Sequence, residues 1–282
     1  MYIAYLDQTK ENKTTVVRVK EFSIHEFEQF VEARDKISVQ VLQYMDLYKM
    51  VAIMYDNLAK AYKKLVKRVE QQQGIDARED LAELNAYFAA LVANFGMYLG
   101  CVPSAISSKQ STILDAHRSA THEEYDNYFA YRLLCALRNY TLHHEPPITV
   151  IRGSSRKSPQ SDRADLEYEV FIEKRKLLQN RMVAKKLEAD FALSIEKYPV
   201  IETANEAMHC LMRIHWKTMK ALLSQVEDEV SLVQALASLT ARQGRQPYIV
   251  EFKRNEEGRG MDARLHLIPT QVLDYKAEAL KY

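Results

Sequence analysis

The sequence predicts a mainly α fold, a helical bundle carrying a small antiparallel β-hairpin at each end. Three observations point there. The 282 residues include only seven Gly and seven Pro, too few for a doubly wound sheet with glycine-rich loops, whereas the strong helix formers Leu, Ala, Glu, Lys, Gln and Met abound. Between residues 76 and 99 apolar side chains recur at spacings of three and four, the period of an amphipathic helix. Near both ends the pattern changes to the β-rich alternation of strands around polar turns.

Each element follows in order. Residues 2–6 and 15–19 flank a polar turn and predict an N-terminal hairpin within a segment 1–22 packed on the helical body. Ser23 with Glu26 three residues on is a capping-box pattern, which opens a helix toward Glu32 or beyond. A second helix is predicted over 38–73, ending at Gly74. The third carries Leu81, Leu84, Phe88, Leu91, Val92, Phe95 and Tyr98 and is expected to be broken by Pro103 and the serines that follow it. A shorter helix covers 104–117, and Thr121 or His122 starts the helix that ends near residue 143. Segment 23–151 is thus the helical core, closing with a short strand at 148–151. A polar loop is predicted over 152–165, then further helices of the same body over 166–243, in the stretches 169–193 and 200–241. Segment 244–282 holds the second hairpin, strands 248–253 and 263–268, and a tail. Because chain termini in compact domains lie close together, the two hairpins are expected to pair into one sheet.

Composition narrows the function. A net charge of +1 creates no global field for nucleic acid, so any such partner must be recognised locally. Three basic stretches exist: Lys60, Lys63, Lys64, Lys67 and Arg68; Arg152, Arg156, Lys157 and Arg163; and Lys174, Arg175, Lys176, Arg181, Lys185 and Lys186. The first and third read as solvated helix faces. The N-terminus has no basic region followed by an apolar one, and no segment is expected to reach the length of a membrane span, so a cytoplasmic location and no membrane partner are expected. Cys101, Cys135 and Cys210, odd in number and set in apolar surroundings, are expected to be buried free thiols. No phosphate-binding loop or dinucleotide fingerprint occurs, and neither His117 with His122 nor His209 with His215 has the i, i+4 spacing of a helical metal pair. No cofactor and no metal are expected.

One run concentrates reactive groups: Ala136-Leu137-Arg138-Asn139-Tyr140-Thr141-Leu142-His143-His144-Glu145-Pro146-Pro147. It closes an apolar helix with a phosphate-binding cation, an amide and two imidazoles, and stops at a double proline. Asn139 and His143 are one turn apart on one face, so the amide can orient the ring. Arg138 lies about 140° round the helix from His143, within reach of its long fork. The prolines cannot continue the helix, so both histidines sit near its C-terminal end, where the dipole favours an imidazolium. The bare spacing also occurs from Arg18 to His25 and from Arg259 to His266, but there it straddles strands or turns and lacks the polar residue, so neither receives a role.

Leu137-Arg138-Asn139-Tyr140-Thr141-Leu142-His143-His144, preceded by the apolar residues 128–135, resembles the signature helix of the HEPN-domain superfamily. Members share a helical bundle, often dimerise, and include metal-independent ribonucleases of toxin, antiphage and RNA-guided defence systems. Their hallmark is Arg, a polar residue, and His after four to six intervening positions. The resemblance covers about twenty residues and implies catalytic roles for Arg138, Asn139 and His143, with His144 a weaker alternative to His143. It further implies an RNA substrate, a homodimer, and an antitoxin or other defence-system protein as partner. Toxins of this family controlled by nucleotidyltransferases have a tyrosine where this chain has Glu145, so that mode of control receives no support. Two functions are carried forward: an endoribonuclease acting through the ribose 2′-hydroxyl, and a non-catalytic helical module that uses the same cluster to bind nucleotide, RNA or a partner protein.

Overall fold

The computed structural model describes residues 1–8, 14–71, 77–106, 111–143, 146–157, 164–193, 195–239, 246–254 and 261–282. Helices dominate, with small antiparallel strands, as the sequence predicts. The first half contains β1 (Tyr2–Gln8), β2 (Thr14–Glu21), α1 (Ile24–Ile37), a π-helical turn at Ser38–Leu42, α2 (Gln43–Glu70), α3 (Ala77–Ala105), α4 (Ser111–Asn127) and α5 (Phe129–His143). Next come β3 (Ile148–Lys157), β4 (Ala164–Glu173), α6 (Lys174–Leu178), α7 (Arg181–Lys186), α8 (Glu188–Leu193) and β5 (Lys197–Pro199). The chain continues with α9 (Val200–Ser224), α10 (Glu227–Ser238), β6 (Pro247–Arg254), β7 (Met261–Leu267) and α11 (Gln271–Ala279). It divides into two compact units, one of residues 1–45 with 216–282 and the other of residues 46–215.

The unit holding both termini is built on a four-stranded sheet in the order β2-β1-β6-β7. The two hairpins therefore do pair, through β1 and β6, with Tyr2 opposite Val250 and Ile3 opposite Ile249. Ile3, Ala4, Ile249 and Val250 are all fully buried, so the two middle strands are covered on both faces. On one face Arg18 lies over the rings of Tyr2 and Phe252, at 4.4 and 4.6 Å from their centroids; on the other, His266 meets Phe27 of α1 edge-on at 4.9 Å. The predicted capping box forms: Ser23 Oγ accepts from the Glu26 N–H at 3.2 Å and the Ser23 N–H donates to Glu26 at 2.8 Å. Those bonds, with Lys20, draw the Glu26 carboxyl down to about 2. Phe30, Ala33 and Ile37 on α1 are buried at helical spacing, as are Val230, Val233 and Leu236 on α10, and Lys36 pairs with Glu229 between the two helices.

The other unit is a helical body around α3, whose Leu84, Phe88, Leu91, Val92, Phe95 and Tyr98 are buried as predicted. Val51, Leu58 and Leu65 of α2, Ile113 and Ala120 of α4, Leu133, Leu134 and Leu137 of α5, and Ala207, Leu211 and Ile214 of α9 complete that core. Two bidentate ion pairs hold it at the edges. Arg213 donates to both oxygens of Glu124, at 2.7 and 2.6 Å, and Arg132 to both of Asp190, at 3.0 and 2.6 Å. Arg132 also donates to the carbonyls of Tyr125 and Asp126, the last turn of α4, which fixes the start of α5. A small sheet in the order β3-β4-β5 packs Tyr198 against Phe129 and Phe191.

Several expectations need correction. The polar loop at 152–165 is instead largely a hairpin, in which Arg152 faces Glu169 and Lys157 faces Ala164; the connection, residues 158–163 with Arg163, lies outside the described residues. Residues 164–173 are accordingly strand rather than the start of further helices, and 174–193 form three short helices. The unit that holds both termini is assembled by the hydrogen bonding of β1 to β6 and by the Lys36–Glu229 pair between α1 and α10. Helix α3 does end where Pro103 and Ser104 predict, at Ala105; in the last turn the proline removes one donor, and the Ser104 hydroxyl donates to the Gly100 carbonyl. The motif helix begins at Phe129, since α4 runs through Thr121 and His122. Gln271–Ala279, assigned to a tail, is helix α11. By length and composition α3 would suffice to cross a membrane, contrary to expectation, although its large apolar side chains face the interior of the unit. Cys210 is buried and Cys135 half-buried, but Cys101 is exposed.

Two histidines lie inside the helical body. The His215 ring shares a hydrogen bond of 3.0 Å with the Tyr98 hydroxyl and stacks on Tyr48 with centroids 4.2 Å apart, while the His117 ring lies 6.5 Å from that of Tyr98 between centroids. Burial pushes His215 down to about 3 and His117 to about 4. An unfolded imidazole therefore takes up a proton before either folded one, so this contribution to stability is complete above about pH 6.5 and drains as pH falls toward 4, by at most about 1.4 kcal/mol per pH unit for each ring. Urea unfolding at pH 7 and pH 5 should show His117→Leu losing about 1–2 kcal/mol less than wild type over that interval. Equal losses in the two proteins would refute the assignment.

Candidate active site

The predicted reactive residues belong to the last turns of α5, and the amphipathic pattern explains their placement. Leu137 and Tyr140 are buried against the body, which turns the intervening position 138 outward. Arg138 is exposed, yet its stem is not loose. A Cβ built on Gly96 of α3 would run into Cδ of Arg138 and stand 2.8 Å from Nε and 3.0 Å from Cγ. The arginine thus lies flat across a buried glycine, its aliphatic part covering α3 and its guanidinium at the surface. Glycine inside a helix costs about 1 kcal/mol relative to alanine; here it opens the seat for the arginine.

The helix ends at His143, just before the double proline as expected. Asn139 and His143 occupy successive turns of its backbone; their side chains, and His144 with Glu145 entirely, lie outside the described residues. Of the four predicted site residues the structure therefore places one side chain, that of Arg138. Thr141 bonds back onto its own helix: its hydroxyl lies 3.0 Å from the Leu137 carbonyl and 3.2 Å from that of Arg138, as a helical threonine does when it shares the acceptors of the preceding turn. Cys135, one turn before Arg138, is pushed up to about 11 by burial, against the opposing effects of Tyr131 and of the Lys186 and Arg138 charges, and so remains a neutral thiol.

Sequence reasoning missed Asn85. From α3 its amide nitrogen donates to the Ile148 carbonyl at 2.9 Å, while its oxygen accepts from the Ile148 N–H at 3.0 Å. The side chain thereby binds the backbone as a neighbouring strand would, and fixes the chain as it leaves Pro147. The signal was an amide on a helix face otherwise made of Leu81, Ala82, Phe88 and Ala89. Since Gly96 meets Arg138 and Asn85 meets Ile148, α3 runs opposite to α5 and its continuation.

Between them opens a groove of about 940 Å³. Its floor is apolar, from Leu81, Ala86 and Ala89 of α3 to Pro147 and Ile148, and Thr141 of the motif helix borders it. Three cations line it, Arg78, Arg175 and Lys176, with one carboxylate, Glu173. Burial would push Glu173 up, but hydrogen bonds from Arg175 at 3.2 Å and Thr149 at 3.1 Å, with the Lys197 charge, hold it below the usual carboxylate range. Arg175 and Lys176 come from the third basic stretch, whose Arg175, Arg181, Lys185 and Lys186 are exposed, as expected of a solvated face. The first stretch is partly neutralised, Lys64 by Glu83 and Arg68 by Asp80. In the second, Arg152, Arg156 and Lys157 belong to the β3 backbone. No family model, curated protein or solved structure matches the chain.

Gly96→Ala tests the seat of Arg138. Alanine is the better helix former, and a flexible exposed side chain can yield to the new methyl, so thermal stability should be unchanged or raised by up to about 1 kcal/mol. The Arg138 Nε–H signal in arginine-selective NMR should nevertheless shift, as the guanidinium leaves α3. An unshifted signal in a stable Gly96→Ala protein would show that the arginine does not rest there.

Proposed function

We propose that this chain is a metal-independent endoribonuclease of HEPN type. The observation that carries the reading is the seated Arg138: an exposed guanidinium held over Gly96 at the end of an apolar helix that also carries Asn139 and His143. Such a cation is pre-positioned to meet a phosphate and costs little reorganisation when charge develops there. In the reaction, a histidine takes the proton of a ribose 2′-hydroxyl as its oxygen attacks the adjacent phosphorus. Arg138 stabilises the added negative charge of the pentacoordinate phosphorane, and a protonated imidazole delivers a proton to the departing 5′-oxygen. The products are a 2′,3′-cyclic phosphate and a 5′-hydroxyl. Asn139 orients His143, and His144 is the lesser alternative imidazole. One chain supplies a single well-supported histidine for two proton transfers, so the active species is a homodimer facing two motif helices across a two-fold axis. The resemblance extends the proposal to a toxin or antiphage system, cytoplasmic, with an antitoxin or defence protein as partner.

A second reading is a non-catalytic module that binds nucleotide, RNA or a partner protein. The groove beside Thr141 favours it, because binding there requires no acid–base group.

Purified protein should cut RNA in excess chelator, leave 2′,3′-cyclic phosphate ends and spare DNA, which lacks the nucleophile. Loss of cleavage on chelation, restored by added divalent metal, would overturn the mechanism. Arg138→Ala and His143→Ala should each lower the rate at least about a hundredfold with helical content intact, and His144→Ala should lower it less. If all three variants remain active, the cluster is structural.

Assembly has its own test in mixed chains. An Arg138→Ala chain retains His143 and a His143→Ala chain retains Arg138, so a dimer of the two regains one complete site if each site draws its arginine and histidine from different subunits. Cleavage should reappear on mixing. A protein that remains monomeric by light scattering at a concentration where it cuts RNA would defeat the dimer.

A further inference from the structure

We propose that β7 is the contact strand for a second copy of this chain: the two sheets join edge to edge, residues 261–265 of each copy pairing antiparallel about a two-fold axis at Ala263. The inference does not rest on the ribonuclease reading, since β7 belongs to the unit that does not carry α5. In the order β2-β1-β6-β7 this strand is outermost, so one row of its N–H and C=O groups faces away from β6. Asp262, Ala263, Arg264, Leu265 and Leu267 are all exposed. The opposite edge is guarded. There β2 carries the cations Arg18 and Lys20, a common device against edge pairing, and association through the sheet therefore stops at two copies.

The residues of β7 set the register. Alternation puts Asp262 and Arg264 on one face of the strand, and Ala263, Leu265 and Leu267 on the other. With Ala263 opposite itself, Asp262 faces the partner's Arg264 and Arg264 faces the partner's Asp262, two pairs of opposite charge from one short strand. Centring the contact on Arg264 would set arginine against arginine, and centring it on Leu265 would set Arg264 against the partner's His266. The charges behind the edge agree. Lys253 of β6 stands opposite Asp262, and Glu251 opposite Arg264, so across the four joined strands the signs alternate plus, minus, plus, minus in one row and the reverse in the other. Among the described residues Lys253 pairs with Glu251 at 3.3 Å, and neither Asp262 nor Arg264 forms an ion pair of its own. A second copy supplies one to each. On the other face Ala263 meets itself and Leu265 meets the partner's Met261, with Phe252 and Val250 of β6 standing behind them, so pairing removes apolar surface that β7 leaves in water.

Light scattering and crosslinking of the full chain test this. Asp262→Arg and Arg264→Asp should each weaken self-association at least about tenfold, because each sets like charges opposite one another at both pairs. An equimolar mixture of the two variants should recover it, since one chain then offers two arginines and the other two aspartates. Recovery also shows that both variants keep their fold. Ala263→Cys in a Cys101→Ser background should be trapped as a covalent dimer by copper phenanthroline, because residues facing each other across an antiparallel pair stand about 4.5–5.5 Å apart between Cα atoms, within reach of a disulfide. Leu267→Cys, also exposed but far from the axis, should not. Unchanged mass in both charge variants, a mixture that fails to recover, or equal crosslinking at positions 263 and 267 would overturn the proposal, as would a monomeric wild type. A dimer held only by the motif helices would keep its mass through every charge substitution, which removes the β7 contact and leaves the ribonuclease reading standing.

Discussion

A side chain at position 96 would occupy the space that the Arg138 stem fills, with its Cβ 2.8 Å from Nε. The candidate site depends on that space staying clear. The approach of α5 to α3 is close enough for the stem of an exposed arginine to rest on the glycine, and the aromatic contact of Phe95 with Tyr131, rings 5.5 Å apart, holds the same pair of helices from the buried side. That contact takes part of the rotamer freedom of the Arg138 stem, while its exposed far end stays able to move.

The path of the chain beyond the motif is held by directed hydrogen bonds to its backbone. A double proline offers no N–H to anchor it, so the first backbone group able to do so is that of Ile148, and Asn85 takes both its donor and its acceptor. At the other end of α5, Arg132 satisfies the last carbonyls of α4 while its fork grips Asp190. The motif helix is thus tied at both ends by directed bonds and buried along one side by Leu133, Leu134 and Leu137. These ties also shape the groove, whose walls are the segments Asn85 and the double proline fix in place.

Local chemistry was legible in the sequence wherever it closes on itself. The Ser23 and Glu26 capping box, the core face of α3 and the stop of α5 before Pro146 each depend on residues a few positions apart, and the structure has them as read. Reading failed where distant partners outvoted composition. Residues 152–157 are polar and rich in Gly and Ser, which reads as loop, yet the antiparallel register with β4 makes them strand. That Arg175 and Lys176 border the same hollow as α3 is shown by nothing nearby in sequence.

Residue order was enough to establish that this protein is mainly helical with a hairpin at each end, and that Arg138, Asn139 and His143 share the closing turns of one apolar helix, because helical period, capping and proline stops are short-range consequences of backbone geometry. It took the folded chain to make the two end hairpins one sheet, to turn a glycine forty-two residues before Arg138 into its seat, and to line a common groove with Arg78 and Arg175. Those facts depend on which surfaces meet from distant parts of the chain. The free energy of meeting comes from shape and burial summed over many residues, and no single stretch of sequence displays that sum.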